Sequence, residues 1–208
     1  MDLVLIRHPA VAVEPGVCYG SSDVPLAGDA AQEAARLVQR LDALGARAPL
    51  RVESSPLTRC ARIAHALASA YGLAPRVDAR LAEMDFGAWE MQRWDAIERA
   101  QIDAWAADFE HARMHGGESV AQFDARVGAW FDNAREADEA DEADEADEAD
   151  AGGTSWVVAH AGVIRAITAR ALELPLSRCV RWPLEMAALA WLRRDAASGQ
   201  WSLVRWNV

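Results

Sequence analysis

Two histidines stand where a buried strand would hand a side chain to a crevice. Leu3-Val4-Leu5-Ile6 is a short continuous apolar run that ends at Arg7-His8, and Trp156-Val157-Val158-Ala159 is another that ends at His160. Runs of this length suit strands buried on both faces of a sheet. A third run, residues 50–53, leads into Ser54-Ser55-Pro56-Leu57-Thr58-Arg59 and places Arg59 in the first turn of the next helix. In open α/β sheets, ligands bind beyond the carboxyl ends of the strands. Two histidines and two arginines, Arg7 and Arg59, are thus expected around one crevice. There are too few carboxylates near the histidines for a metal site, and the guanidiniums would repel a cation, so no metal is expected. The set suits a phosphate dianion. Guanidinium forks bind phosphate oxygens in pairs, and a neutral imidazole nitrogen can attack phosphorus and split a hydrolysis into two easier steps.

The elements that must hold these groups follow from pattern. Residues 28–44 have helical spacing, with Ala31, Ala34, Ala35, Val38 and Leu41 predicted on the buried face. Ser55-Pro56 reads as a serine cap with proline at the first helical position, and that helix runs to about Tyr71, where Gly72 stops it. Arg76-Val77-Asp78 is a candidate short strand. Helices are predicted over 92–110, from near Ser119 through Phe123, Val127, Trp130 and Phe131, and over 163–172. Residues 187–192 and 201–206 are β-like, with Ser198-Gly199 between them as a hairpin turn. The order implies one three-layer α/β/α domain, residues 1–208, with a mainly parallel central sheet and an antiparallel C-terminal edge hairpin.

Composition narrows the function classes. The net charge of −11 is misleading, because residues 136–150, EADEADEADEADEAD, hold ten of the 32 acidic residues and no basic one. The remaining acids nearly balance the 21 basic residues, so no nucleic-acid-binding face is indicated. Every basic residue is arginine. Without lysine there is no Schiff-base nucleophile and no lysine-dependent phosphate loop, and no cofactor is called for. No apolar run approaches the roughly 20 residues needed to span a bilayer. Cys18, Cys60 and Cys179 are widely spaced and make neither a disulfide framework nor a zinc cluster. A cytoplasmic protein with inert thiols, as monomer or homodimer, is the simplest expectation.

Taken together, these segments resemble the histidine phosphatase superfamily, the phosphoglycerate-mutase-like enzymes. Leu5-Ile6-Arg7-His8 resembles the family signature. Cys18-Tyr19-Gly20 with Asp23-Val24-Pro25-Leu26 looks like its substrate-side loop, and Ser54-Ser55-Pro56-Leu57-Thr58-Arg59 resembles its second arginine motif. The run Leu81 to Gly87, with Trp89-Glu90, looks like the proton-donor segment. Gly116-Gly117-Glu118-Ser119 and the stretch Val157 to Arg165 complete the order. The resemblance implies His8 as nucleophile and Arg7, Arg59 and His160 as the phosphate pocket. It implies Glu83 as general acid, with Tyr19, Gly20 and Gly162 offering backbone N–H groups to the phosphate or substrate. Three departures stand out: Pro9 follows His8 where glycine is common, Glu14 lies near the place of the usual first-loop asparagine, and Ala161 replaces a common glycine.

Among the family's activities, the short chain and the loop at 18–26 look most like α-ribazole phosphatases, which remove a 5′-phosphate in assembly of the cobalamin lower ligand. The alternatives are a phosphoglycerate mutase, a broad sugar-phosphate phosphatase, and, in another class, an inactive partner-binding module. The intact set of Arg7, His8, Arg59, Glu83 and His160 argues against the last. His65 reads as a helix-face residue, and His111 and His115 as loop or surface residues. Trp89 and Trp94 read first as packing residues, with stacking on a substrate ring the sharper alternative. The acidic repeat has a period of three, which builds no amphipathic face and sets like charges at i,i+3. It reads as a solvated helix extension or a disordered insertion. Deleting residues 136–150 should leave phosphate release intact; loss of turnover in a folded deletion variant would refute that.

Overall fold

A computed structural model describes residues 1–144 and 153–208, with residues 137–144 described by their backbone alone. Its sheet grows from the apolar runs. Strand β1 (Asp2–Arg7) lies at the centre, paired in parallel with β4 (Thr154–Ala159) on one side and antiparallel with β5 (Leu189–Arg194) on the other. Beyond β4 come β2 (Arg51–Ser54) and β3 (Arg76–Val77), both parallel; beyond β5 comes β6 (Trp201–Trp206), antiparallel. The order is β3-β2-β4-β1-β5-β6. This is the mainly parallel sheet with an antiparallel edge hairpin that the sequence predicts.

Alternation along the strands sends side chains to opposite faces. Val4, Ile6, Trp156 and Val158 meet helices α1 (Ala30–Ala43) and α2 (Thr58–Ala70). Leu3, Leu5, Val157 and Ala159 meet α4 (Val120–Asp144) and α5 (Ala161–Ala171). Between α2 and α4, α3 (Arg99–Ala107) buries none of its residues, and a single turn, α6 (Leu176–Cys179), follows α5. A fully buried large apolar side chain contributes roughly 1.5–3 kcal/mol relative to its exposed form. The same sheet carries the buried Arg59, His8 and His160 at its end. Among the described residues, no helix is long and apolar enough to cross a membrane.

Several local expectations are corrected. On α1 the buried residues are Ala30, Ala34, Leu37 and Leu41, not Ala31 and Ala35. The helix is set by its cap: the Asp29 carboxylate accepts the Gln32 N–H at 3.0 Å. Ser55-Pro56 does not open α2. The Ser55 hydroxyl meets His160 and accepts the Leu57 N–H at 3.3 Å, ahead of the helix, and the first N–H of α2 is capped from outside, where Asp23 accepts the Thr58 N–H at 2.7 Å and the Thr58 hydroxyl at 2.6 Å. The helix predicted over 92–110 is confined to α3. Residues 91–94 bond instead to the 16–18 loop, through Met91 N–H to Cys18 C=O at 2.6 Å, Cys18 N–H to Gln92 C=O at 2.8 Å and Trp94 N–H to Gly16 C=O at 2.8 Å. Strand β5 starts at Leu189, because Ala187 sits at φ +58°. Helix α5 starts directly after His160, earlier than predicted. Of the acidic repeat, residues 136–144 continue α4; residues 145–150 lie outside the described residues.

Candidate active site

Register builds the site. The β1–β4 ladder ends at Arg7 opposite Ala159, and the His8 N–H still bonds the Ala159 C=O at 3.0 Å. On the other side of β4, the Ser55 N–H bonds the Val158 C=O at 3.1 Å. Three adjacent strand ends thus deliver His8, His160 and Ser55 side by side, and the His8 and His160 ring centroids are 5.2 Å apart. Arg59, one residue into α2, is fully buried beside them.

The hydrogen bonds fix which nitrogens are available. His8 Nδ1 lies 2.8 Å from the Pro9 C=O, and a carbonyl only accepts, so Nδ1 carries the hydrogen and Nε2 keeps its lone pair. The residue after His8 is used here through its carbonyl, which proline supplies as well as glycine. Arg59 Nε–H donates to His160 Nδ1 at 3.3 Å, which leaves His160 Nε2–H to donate to Ser55 Oγ at 2.8 Å. The two terminal nitrogens of Arg59 donate at 2.6 Å to the carbonyls of Ser22 and Gly20, and its guanidinium lies 5.1 Å from the Tyr19 ring centroid. Each terminal nitrogen retains one further N–H. Arg7 Nη1 donates to the Leu184 C=O.

Burial, reinforced by Arg59 and Arg7, pushes the His8 imidazole down to about 3, although its Pro9 bond opposes the shift. Burial also carries His160 well below the usual imidazole range, with Arg59, His8 and Arg7 acting in the same direction. Both rings are neutral at neutral pH, the state in which an imidazole nitrogen can act as a nucleophile.

Glu83 faces this group from the loop after a 3-10 turn at Ala79–Leu81. Its carboxylate accepts the Gly162 N–H at 3.0 Å and the Met84 N–H at 3.1 Å. The Gly162 N–H, in the first turn of α5, is thus turned to Glu83 in this structure. A Cβ at residue 162 would overlap that carboxylate. Gly20 meets the site through its carbonyl on Arg59. A Cβ there would collide with the Met84 carbonyl and the Glu90 carboxylate. Glu90 accepts the Ser21 and Ser22 N–H groups at 2.8 and 2.6 Å and the Phe86 N–H at 3.0 Å, and so ties the 20–22 loop to the segment after Glu83. Glu14, near the place of the missing asparagine, is exposed.

Next to Glu83 a cleft of about 390 Å³ opens, walled by Phe86, Trp94, Trp105 and Phe109, with Arg165 the one basic residue in its lining. Trp94 lines it, whereas Trp89 is buried against Cys18 and Ile97. His115 is neither in the cleft nor at the surface. It is 2 % exposed, packs on Phe86 and Trp89, and its Nδ1 accepts the Gly117 N–H at 3.0 Å. His65 is exposed on α2. The three cysteines are free and buried, and burial with the nearby Glu90 pushes the Cys18 thiol up to about 12. Among the described residues, no group of three or more His, Cys, Asp or Glu could hold a metal ion. Sequence reasoning missed Arg126. It lies mid-helix on α4, and its only local mark is a spacing of eight from Glu118, its partner at 2.8 Å.

A histidine pair at adjacent parallel strand ends, flanked by buried arginine and faced by a glutamate, places the chain in a known class. It belongs to the histidine phosphatase superfamily (branch 1), whose family model matches residues 3–208, and it is a phosphoric monoester hydrolase. Among curated proteins it is 32% identical to glucosyl-3-phosphoglycerate phosphatase of Mycobacterium tuberculosis, over 99% of this chain and 94% of that one. Its structure matches that of a mycobacterial glucosyl-3-phosphoglycerate phosphatase with a TM-score of 0.81 at 28% identity, covering 100% and 98% of the two chains. It matches α-ribazole phosphatase from Shigella flexneri with a TM-score of 0.82 at 24% identity, covering 100% and 96%, a likeness of fold.

The two neutral histidines have a consequence for stability. Their native pKa values lie below the ordinary value of 6.5. Below about pH 6.5 the unfolded chain therefore binds more protons than the native one, and stability falls as the pH drops. Each histidine adds up to about 1.4 kcal/mol per pH unit to that slope. Denaturant unfolding of His160→Gln between about pH 6 and pH 4 should show a slope shallower by up to that amount. Parallel curves for the variant and the parent would mean that His160 is not held neutral.

Proposed function

We propose that the chain is a phosphomonoesterase that works through a phosphohistidine on His8, and that its substrate is α-ribazole 5′-phosphate. The observation behind the first half is the His8 tautomer: Nδ1 is held by the Pro9 carbonyl, and Nε2 keeps its lone pair beside two guanidiniums. In this reading Nε2 attacks phosphorus as the bond to the leaving oxygen breaks, and Glu83 gives that oxygen its proton. Water then attacks the phosphohistidine and passes a proton back to Glu83; the N–P bond breaks and inorganic phosphate leaves. Arg7 and Arg59 neutralise the phosphoryl oxygens, with His160, Tyr19 and Gly20 around them, and no metal or other cofactor takes part. We read the chain as one domain, 1–208, with the acidic stretch 136–150 an insertion outside the chemistry.

The choice of substrate rests on the loop Cys18-Tyr19-Gly20 to Leu26 and on the cleft. Phe86, Trp94, Trp105 and Phe109 suit a leaving alcohol that carries a flat, weakly polar ring. A second reading, glucosyl-3-phosphoglycerate, is favoured by the relatives of that name and by Arg165 in the cleft wall, a cation to meet a carboxylate. Phosphate release from α-ribazole 5′-phosphate, glucosyl-3-phosphoglycerate, 3-phosphoglycerate and p-nitrophenyl phosphate, with chelator present, separates the readings. The first substrate should be turned over with the highest kcat/KM, and His8→Ala should abolish all release. Preference for glucosyl-3-phosphoglycerate would replace the substrate; sensitivity to chelator, or turnover by His8→Ala, would overturn the chemistry.

A further inference from the structure

The Gly-Gly-Glu-Ser turn at 116–119 places none of its residues in the cleft, yet it is bonded to the segment that holds Glu83. The Glu118 N–H donates to the Asp85 C=O at 2.9 Å, and Glu118 Oε2 accepts the Asp85 N–H at 3.1 Å. Gly117 lies so close to Asp85 that a Cβ would overlap the Asp85 carbonyl. Arg126, two turns along α4, meets the same carboxylate with a fork, Nε to Oε1 and Nη2 to Oε2, both at 2.8 Å. Its Nη1 donates to the carbonyls of Arg80 at 2.8 Å and Ala82 at 3.0 Å, and its Nη2 reaches the Glu83 carbonyl at 3.4 Å.

Residues 82–86 belong to no helix or strand. The carbonyls of Ala82 and Glu83 and the N–H of Asp85 are held from outside by one bidentate ion pair, both partners of which are mostly shielded from water. Burial alone would raise the Glu118 carboxyl, but the bonds from Arg126 and Asp85 hold it below the usual range, so the pair stays charged. Glu83 is thus bracketed at residues 80, 82, 83 and 85, and only its carboxylate tip is free to meet Gly162 and the leaving group.

We infer that Glu118 and Arg126 are positioning residues: their ion pair fixes the loop that presents Glu83 to the leaving oxygen. The inference rests on Glu83 being the proton donor. A displaced donor harms poor leaving groups and spares good ones, whereas general damage to the phosphate pocket harms both alike.

The test compares kcat/KM for phenyl phosphate and p-nitrophenyl phosphate in Arg126→Lys, Glu118→Gln and, as reference, Glu83→Gln. Lysine keeps the charge but lacks the fork. The phenyl-to-nitrophenyl ratio should fall about tenfold or more in both clamp variants, with p-nitrophenyl phosphate turnover within about threefold of the parent. Equal losses on both substrates, or no loss, would overturn the positioning role. If Arg126→Lys does not fold, Glu118→Gln decides; failure of both to fold would make the pair a folding element and equally overturn the inference. An unchanged ratio in Glu83→Gln would instead remove the proton-donor reading itself.

Discussion

The parallel pairing of β1 with β4 is the constraint on which the site depends. Six residues of each strand are in register from Asp2–Thr154 to Arg7–Ala159, and the chain continues on both strands into a histidine. No loop freedom intervenes between the ladder and the His8 ring. A one-residue slip would exchange the two faces of β1, exposing Leu3 and Leu5 to the wrong helices and turning His8 away from His160. The core that fixes the register therefore also fixes the 5.2 Å spacing of the two rings.

What these rings can do is decided by burial and by the charges around them. Arg59 and Arg7 would repel a proton from either histidine, and burial does the same. An imidazole beside guanidiniums stays neutral, while a phosphate dianion brought to the same place is attracted. The site thus offers positive charge without holding the histidines in a charged form. The carboxylates nearby have other duties. Glu90 ties down the 20–22 loop, Asp23 caps α2, and Glu118 is paired with Arg126.

How much of this was legible in the sequence depends on how local each signal is. The strands were, because Leu3–Ile6 and Trp156–Ala159 are apolar without interruption and run up to Arg7-His8 and His160. The meeting of His8, His160 and Arg59 was legible for the same reason, since strand ends in a parallel sheet converge on one edge. The start of α2 was not, because its cap is Asp23, 35 residues earlier in the chain. The start of the helix expected over 92–110 was not, because the backbones of residues 91, 92 and 94 bond residues 16 and 18, a pairing that no local pattern encodes. Helix N-termini favour anions, and in this structure the anion that the Gly162 N–H meets is a carboxylate of the chain itself, a partner far off in sequence. Arg126 carries no local sequence signal, since its reach to residues 80–83 depends on tertiary packing.

The most direct test of the central claim is the position of the covalent phosphate. With Nδ1 of His8 bonded to the Pro9 carbonyl, only Nε2 can attack phosphorus. Turnover of p-nitrophenyl phosphate, quenched in alkali to preserve phosphohistidine, followed by peptide mapping and phosphorus NMR, distinguishes the two ring isomers. Phosphate on Nε2 of His8 is the expected result. Phosphate on Nδ1 of His8, or on His160, would contradict it.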